Sequence, residues 1–145
     1  MKAVVQRVKE VTLKVDGELI SQIPYGLIVY FGVKHGDTLD KADYLAQKIA
    51  KLRVFEDENG KMNKSVIDVG GEIMSVSQFT LYGDVSHGNR PGFTDAEAPE
   101  LAVKVYDYFS DKLAEQGVVV KKGIFGADMK ILQLSDGPVT IIYEV

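Results

Sequence analysis

Apolar and polar residues alternate over residues 2–15 and again over 18–23, with Asp16-Gly17 between them. That is the pattern of two strands joined by a two-residue hairpin turn. Pro24-Tyr25-Gly26 then leads into Leu27-Ile28-Val29-Tyr30-Phe31-Gly32-Val33. A continuous apolar run of this length predicts a strand buried on both faces. The period next changes from two to three and four. Leu39, Ala42, Leu45, Ala46, Ile49 and Leu52 predict one face of a helix, with Asp37 or Thr38 as its cap. Asn59-Gly60 marks a second hairpin between residues 53–56 and 62–66, and Gly70-Gly71 breaks the chain before a strand over 72–79. A second helix is predicted from Pro99, which suits a first helical turn. Leu101, Ala102, Val105, Phe109 and Leu113 form its apolar face, and Gly117 closes it. Residues 118–121, 131–134 and 139–145 complete the strands. The order predicts an α+β domain with a largely antiparallel sheet and its helices on one side. No linker, repeat or low-complexity stretch interrupts residues 1–145, which read as a single domain.

Composition narrows the classes. The chain has 145 residues, 46% of them hydrophobic and 26% charged, as in an ordinary folded domain. It has no cysteine, which removes disulfides, thiolate nucleophiles and cysteine metal sites. The first residues run straight into a strand pattern, and residues 27–33, the longest apolar run, are too short for a bilayer. The expectation is a cytoplasmic protein with no membrane association. A net charge of −4 argues against general nucleic-acid binding and leaves room for a local grip on one RNA end. Lys48, Lys51 and Arg53 form one candidate patch and Lys121-Lys122 another.

The usual hydrolytic machinery is missing. The two histidines, His35 and His87, sit in polar Gly-rich loops. They lack the partners of a Ser/His/Asp engine or the carboxylate spacing of a metal site. No metal or cofactor is expected, and no phosphate-loop or dinucleotide fingerprint occurs. Two strings stand out instead. Ser135-Asp136-Gly137-Pro138-Val139-Thr140 sets a Gly-Pro step between two strand-like runs, where proline offers no N–H and glycine admits unusual backbone angles. Carbonyls there are left pointing off the sheet. The second string, from Ser75 to Asp84, carries Ser77, Gln78, Phe79 and Thr80 where a buried strand should be apolar. Two readings of Thr80 stay open: a strand-end hydroxyl bonding the backbone locally, or a hydroxyl aimed at a scissile carbonyl beside an oxyanion site of N–H groups. Gln78 is placed to orient a substrate amide or phosphate, and Phe79 to stack on a ring or fill core.

The chain resembles the D-aminoacyl-tRNA deacylase (D-tyrosyl-tRNA deacylase) family over its full length. The resemblance rests on Met1-Lys2-Ala3-Val4-Val5-Gln6-Arg7-Val8, Ser77-Gln78-Phe79-Thr80-Leu81, Asn89-Arg90-Pro91-Gly92-Phe93-Thr94, Gly126-Ala127-Asp128-Met129 and Gly137-Pro138-Val139-Thr140, in this order. It implies a three-layer β/β/α domain with mostly antiparallel sheets and two main helices, assembled as a homodimer with active sites at the interface. It implies hydrolysis of the ester of D-aminoacyl-tRNA, held at its acceptor end, with glycyl-tRNA cleaved as well. The implied catalytic residues are Thr80, Gln78, Phe79 and Ser77. A cis Gly137–Pro138 turn would enter the partner's pocket and exclude L-aminoacyl groups, braced by Arg7 and Met129. The chain departs from the family pattern at Ser135, where asparagine is more common, which implies slightly weaker bracing. A non-catalytic dimer that binds an RNA end is the alternative.

Overall fold

The computed structural model describes residues 1–145. Strands β1 (Lys2–Val15) and β2 (Glu18–Ile23) form the expected hairpin, followed by β3 (Gly26–Gly32) and helix α1 (Leu39–Ala50). Asp16 and Gly17 have φ of 51° and 84°, the pair of positive values that a two-residue hairpin with matching twist requires. The short strands β4 (Phe55–Glu56) and β5 (Met62–Lys64) pair apart from the main sheet. Then come β6 (Glu72–Ser77), a 3₁₀ turn (Phe79–Tyr82), α2 (Pro99–Ala114), β7 (Val119–Lys122) and β8 (Met129–Glu144).

The main sheet has six strands in the order β2-β1-β3-β6-β7, with β8 on the other edge of β1. It is mixed: β1 pairs antiparallel with β2, β3 and β8, whereas β3–β6 and β6–β7 are parallel. Each parallel step is a crossover through a helix, α1 for the first and α2 for the second, as parallel pairing demands. Both faces of the central strands are covered. Leu27, Val29, Phe31 and Ile73 belong to a core of 21 buried residues shared with the helices, in which Phe31 stacks on Phe109 at 4.0 Å. Ile28, Met74 and Val76 point the other way, into a second core of 7 residues with Val8, Val11, Leu13 and Ile23. The far halves of β1 and β8, with β2, thus fold back over the sheet. The layering is β/β/α.

Several local expectations need correction. Neither Asp37 nor Thr38 caps α1 with its side chain. Asp37 instead accepts from the Lys34 amide and pairs with the buried Met1 ammonium at 2.7 Å, and that ammonium also donates to the Val145 carbonyl. Leu39 and Leu101, assigned to helix faces, are about half exposed in the first turns of α1 and α2. The buried face of α2 includes Tyr106 and Ser110, which the expected apolar face left out. The Asn59-Gly60 hairpin is a longer loop, in which the Asp57 carboxylate accepts from the N–H groups of Asn59 and Lys61. The strand expected to reach residue 79 ends at Ser77, so Phe79 and Thr80 lie in the 3₁₀ turn.

Candidate functional site

A cleft of about 610 Å³ opens where β6 ends, within the range of small-ligand sites. Four pieces of chain converge on it: Ser77, Gln78 and Phe79; Phe93; residues 96–99 at the start of α2; and residues 125–129 leading into β8. Its lining is mostly apolar, 13 of 19 residues, with the polar groups supplied by Ser77, Gln78, Glu97, Tyr106 and Asp128. The floor is fixed by hydrogen bonds. Tyr106 Oη donates to the Ser75 carbonyl at 2.8 Å, and Ser75 and Ser110 hydroxyls meet at 3.0 Å. Burial pushes the Tyr106 hydroxyl up to about 12, so it remains a donor at neutral pH. Ser75 is therefore a structural hydroxyl, which explains half of the polar anomaly in that strand.

The other half lies at the mouth. The Gln78 N–H is used by the Phe31 carbonyl at 2.8 Å, which ends the β3–β6 pairing. The chain then turns tightly, and the N–H groups of Phe79 and Thr80 open the 3₁₀ turn without a main-chain acceptor. Gln78 Nε2 donates to Thr80 Oγ1. No base lies on that hydroxyl, so nothing there would draw off its proton. Phe79 is 57% exposed and meets Phe93 edge-to-face at 5.0 Å. Of its two expected uses, core filler is ruled out by this exposure, and an open ring face remains.

Glu97, which sequence reasoning missed, closes one side. Its carboxylate accepts from the N–H of Ala98 at 2.8 Å and of Gly36 at 3.1 Å, and stands 3.3 Å from His35 Nδ1. The Ala98 bond, then the Gly36 bond, hold it below the ordinary carboxylate range, so it is ionised at neutral pH and poorly placed to deliver a proton. Phe93 and Phe125 were missed as well. Phe93 stood only within the string Asn89–Thr94 that carries the family resemblance, with no role given to it, and Glu97 and Phe125 carried no signal of their own.

The Gly137–Pro138 turn lies elsewhere. Between the pairs Gln6–Thr140 and Val8–Ser135, β1 has one residue, Arg7, and β8 has four, Asp136 to Val139. The surplus bulges outward, with both Gly137 and Pro138 exposed and the bond between them cis. Gly137 has φ of 123°, and a Cβ there would lie 2.8 Å from Val139 Cγ2, so glycine is needed. Arg7, only 8% exposed, anchors the base of the bulge. Its Nε donates to the Asp136 carbonyl at 3.2 Å and faces Asp136 Oδ2 at 3.1 Å, while Nη1 donates to the Val54 carbonyl at 2.6 Å. Ser135, the departure from the family pattern, accepts from Gln133 Nε2 at 2.9 Å.

Ser77, Gln78 and Phe79 therefore line the cleft together, with Thr80 outside the lining and held to it through Gln78, and Arg7 meets Gly137 and Pro138 at the bulge, while the two groups stay apart. Arg7 is level with Leu27 of β3 and Ser77 with Phe31. Four residues of strand place them roughly 13 Å apart along the sheet. Met129 belongs to the cleft wall, beside Gly123 and Leu13, at the opposite end of β8 from the bulge.

The family model described as D-Tyr-tRNA(Tyr) deacylase matches residues 4–144. A protein of Bacillus cereus (strain AH187) named D-aminoacyl-tRNA deacylase is 52% identical over 144 residues, covering 99% of each chain. A Bacillus cytotoxicus protein of the same name is 51% identical with the same coverage. Among solved structures, the "c-Myc DNA Unwinding Element Binding Protein" superposes with a TM-score of 0.94 at 44% identity, covering 100% of this chain and 99% of that one. A "probable eukaryotic D-amino acid tRNA deacylase" gives 0.85 at 17% identity, covering 99% and 98%, a likeness of fold alone.

Proposed function

This chain belongs to the D-Tyr-tRNA(Tyr) deacylase family, and on that premise we propose that it hydrolyses the ester joining a D-amino acid to the terminal ribose of tRNA. Water adds to the ester carbonyl, the ribose hydroxyl leaves, and free tRNA and the D-amino acid are released. The observation that carries the mechanism is the pair of open N–H groups at Phe79 and Thr80 beside a hydroxyl that has no base. Two preorganised donors stabilise the oxyanion that develops on the carbonyl oxygen. An aminoacyl ester is already activated, so positioning and oxyanion stabilisation suffice without a strong nucleophile. The neighbouring ribose hydroxyl of the substrate helps activate the water. Phe79 offers its open face to the terminal adenine, and Gln78 Oε1 remains free to accept from the substrate ammonium. Thr80 tunes the loop through Gln78 and does not attack.

Discrimination is the task of Gly137–Pro138. D and L esters carry identical groups, so only an obstacle on one side of the α-carbon separates them. The bulge does not reach its own chain's cleft, and so acts in a second copy. Self-association is supported by β8 itself, a 16-residue edge strand with one edge unpaired and Leu132, Leu134 and Ile142 facing solvent. Long apolar edges of this kind are normally covered. In such a dimer Met129, in the cleft wall, lies where the partner's turn enters, and Arg7 holds the turn from behind. Glycine has no β-carbon to meet the obstacle, so glycyl-tRNA is cleaved too. No helix is long and apolar enough to cross a membrane, and a cytoplasmic setting fits the substrate.

The test is hydrolysis of matched D- and L-tyrosyl-tRNA with glycyl-tRNA alongside. Cleavage of the D and glycyl esters with the L ester spared is expected. A folded dimer that cleaves none of them would favour the RNA-end binding alternative, and efficient cleavage of L-alanyl-tRNA would overturn the obstacle.

A further inference from the structure

A second hollow, of about 420 Å³, lies between the outer face of α1 and the end of β8. Tyr44, Gln47, Lys48 and Lys51 line it from the helix, Arg53 from the segment that follows, and Tyr143 from the strand. No Asp or Glu lines it. In a chain of net charge −4 that is an unusual concentration of one sign. None of the three cations forms an ion pair, whereas Lys122, from the other basic cluster in the sequence, is neutralised by Asp107 at 2.6 Å. Lys48 stands 5.5 Å over the Tyr44 ring, and Tyr44 is half exposed. Arg53 commits only Nε, to the Asn63 carbonyl at 2.8 Å, and keeps its other donors open. Open cations around aromatic faces are the ingredients for a phosphodiester chain, whose phosphates take the charge and whose sugars and bases take the rings.

The hollow has a direction. At one end Lys41 Nζ lies 3.4 Å from the Val145 carbonyl. At the other end Arg53 precedes Val54, whose carbonyl accepts from Arg7, the residue that holds Asp136 and the Gly137–Pro138 bulge. The basic end thus adjoins the turn. We propose that Lys48, Lys51 and Arg53 bind the acceptor-stem phosphates of the RNA whose 3′ end is being processed. This rests on the function proposed above. It adds that the platform on one subunit serves the cleft of its partner, because the turn beside it enters that cleft. An acidic protein thereby holds the RNA stem through one local basic patch.

The experiment titrates uncharged tRNA onto the full-length protein at several salt concentrations, for wild type, Lys48→Glu/Lys51→Glu, the milder Lys48→Gln/Lys51→Gln, and Lys104→Glu as a charge change on α2. The double Glu variant should weaken binding at least about tenfold and lower the slope of log affinity against log salt by about 2, with the Gln pair between it and wild type. Lys104→Glu should match wild type. Equal affinities and slopes for wild type and either double variant, or an equal loss in Lys104→Glu, would overturn the assignment. Hydrolysis of D-tyrosyl-tRNA by wild type is followed in parallel. Hydrolysis without an effect of the double variant removes the platform alone, while loss of binding in the variant without wild-type hydrolysis removes the deacylase reading alone.

Discussion

In the cleft, the atoms assigned to chemistry are main-chain N–H groups on a short turn, and the side chains around them, Phe79 and Thr80, are exposed and lightly held. At the Gly137–Pro138 bulge the exposed atoms are again main chain, yet they are fixed from below by a buried guanidinium with three contacts. One region is concave and built to receive; the other is convex and built not to yield. Under the proposed function the difference follows from the two tasks assigned to them. A turn that donates to a developing charge keeps its geometry from the strand it ends, whereas an obstacle that rejects a side chain by bulk must resist being pushed. Arg7 supplies that resistance.

The comparison breaks most readily at Arg7. Arg7→Ala leaves Asp136 and the Val54 carbonyl without their donor in a buried setting, and should cost about 3 kcal/mol in chemical denaturation. In the surviving folded protein, L-tyrosyl-tRNA should become a substrate. Gly137→Ala acts on the same feature more locally. Forcing a Cβ where φ is 123° and Val139 is 2.8 Å away should cost about 1–3 kcal/mol, with D/L selectivity falling further than D-ester turnover. Stability unchanged in both would show that the bulge is not held as described.

The cleft should respond in the opposite way, with activity moving and stability not. Phe79→Ala removes an exposed ring and should lower kcat/KM for D-aminoacyl-tRNA by about 1–3 kcal/mol of stacking, with the denaturation midpoint unchanged. Thr80→Ala should retain most activity, within about tenfold, if main-chain donors carry the oxyanion. Complete loss with an intact fold would make Thr80 the nucleophile. The smallest effect concerns pH. The Glu97 carboxyl is held below its unfolded value, so its contribution to stability is present above about 4.5 and is lost as pH falls through the lower folded value. Thermal midpoints between pH 3 and 6 should fall more steeply for wild type than for Glu97→Gln, and identical slopes would discard this source.

Local signals in the sequence survived where local physics decides. Asp16-Gly17 and Gly117 lie at positive φ, where the turn and the helix end were expected. Direction of pairing was not legible, because the apolar run over residues 27–33 is the same for parallel and antiparallel neighbours, and the antiparallel expectation met two parallel pairs. Side-chain periodicity misplaced Leu39 and Leu101 because burial is decided by what packs on a turn and not by its position on the wheel. The Ser77–Thr80 cluster was visible as polar residues in an apolar strand, but the 3₁₀ turn that frees the N–H groups was not. Glu97 left no trace, since its importance comes from two backbone donors 61 residues and one residue away. Arg7 became meaningful only through the family resemblance, as its contacts with Asp136 and Val54 join segments distant in the chain.

The most direct measurement uses mixed dimers. One subunit carries Gln78→Ala/Phe79→Ala in its cleft and an intact turn; the other has an intact cleft and Arg7→Ala behind its turn. If the turn of one copy completes the cleft of the other, the mixed dimer holds one fully intact site, and should cleave D-tyrosyl-tRNA while sparing the L ester that the Arg7→Ala homodimer cleaves. Cleavage of the L ester by the mixed dimer, at half the rate of that homodimer, would mean that each turn serves its own chain and would contradict the account.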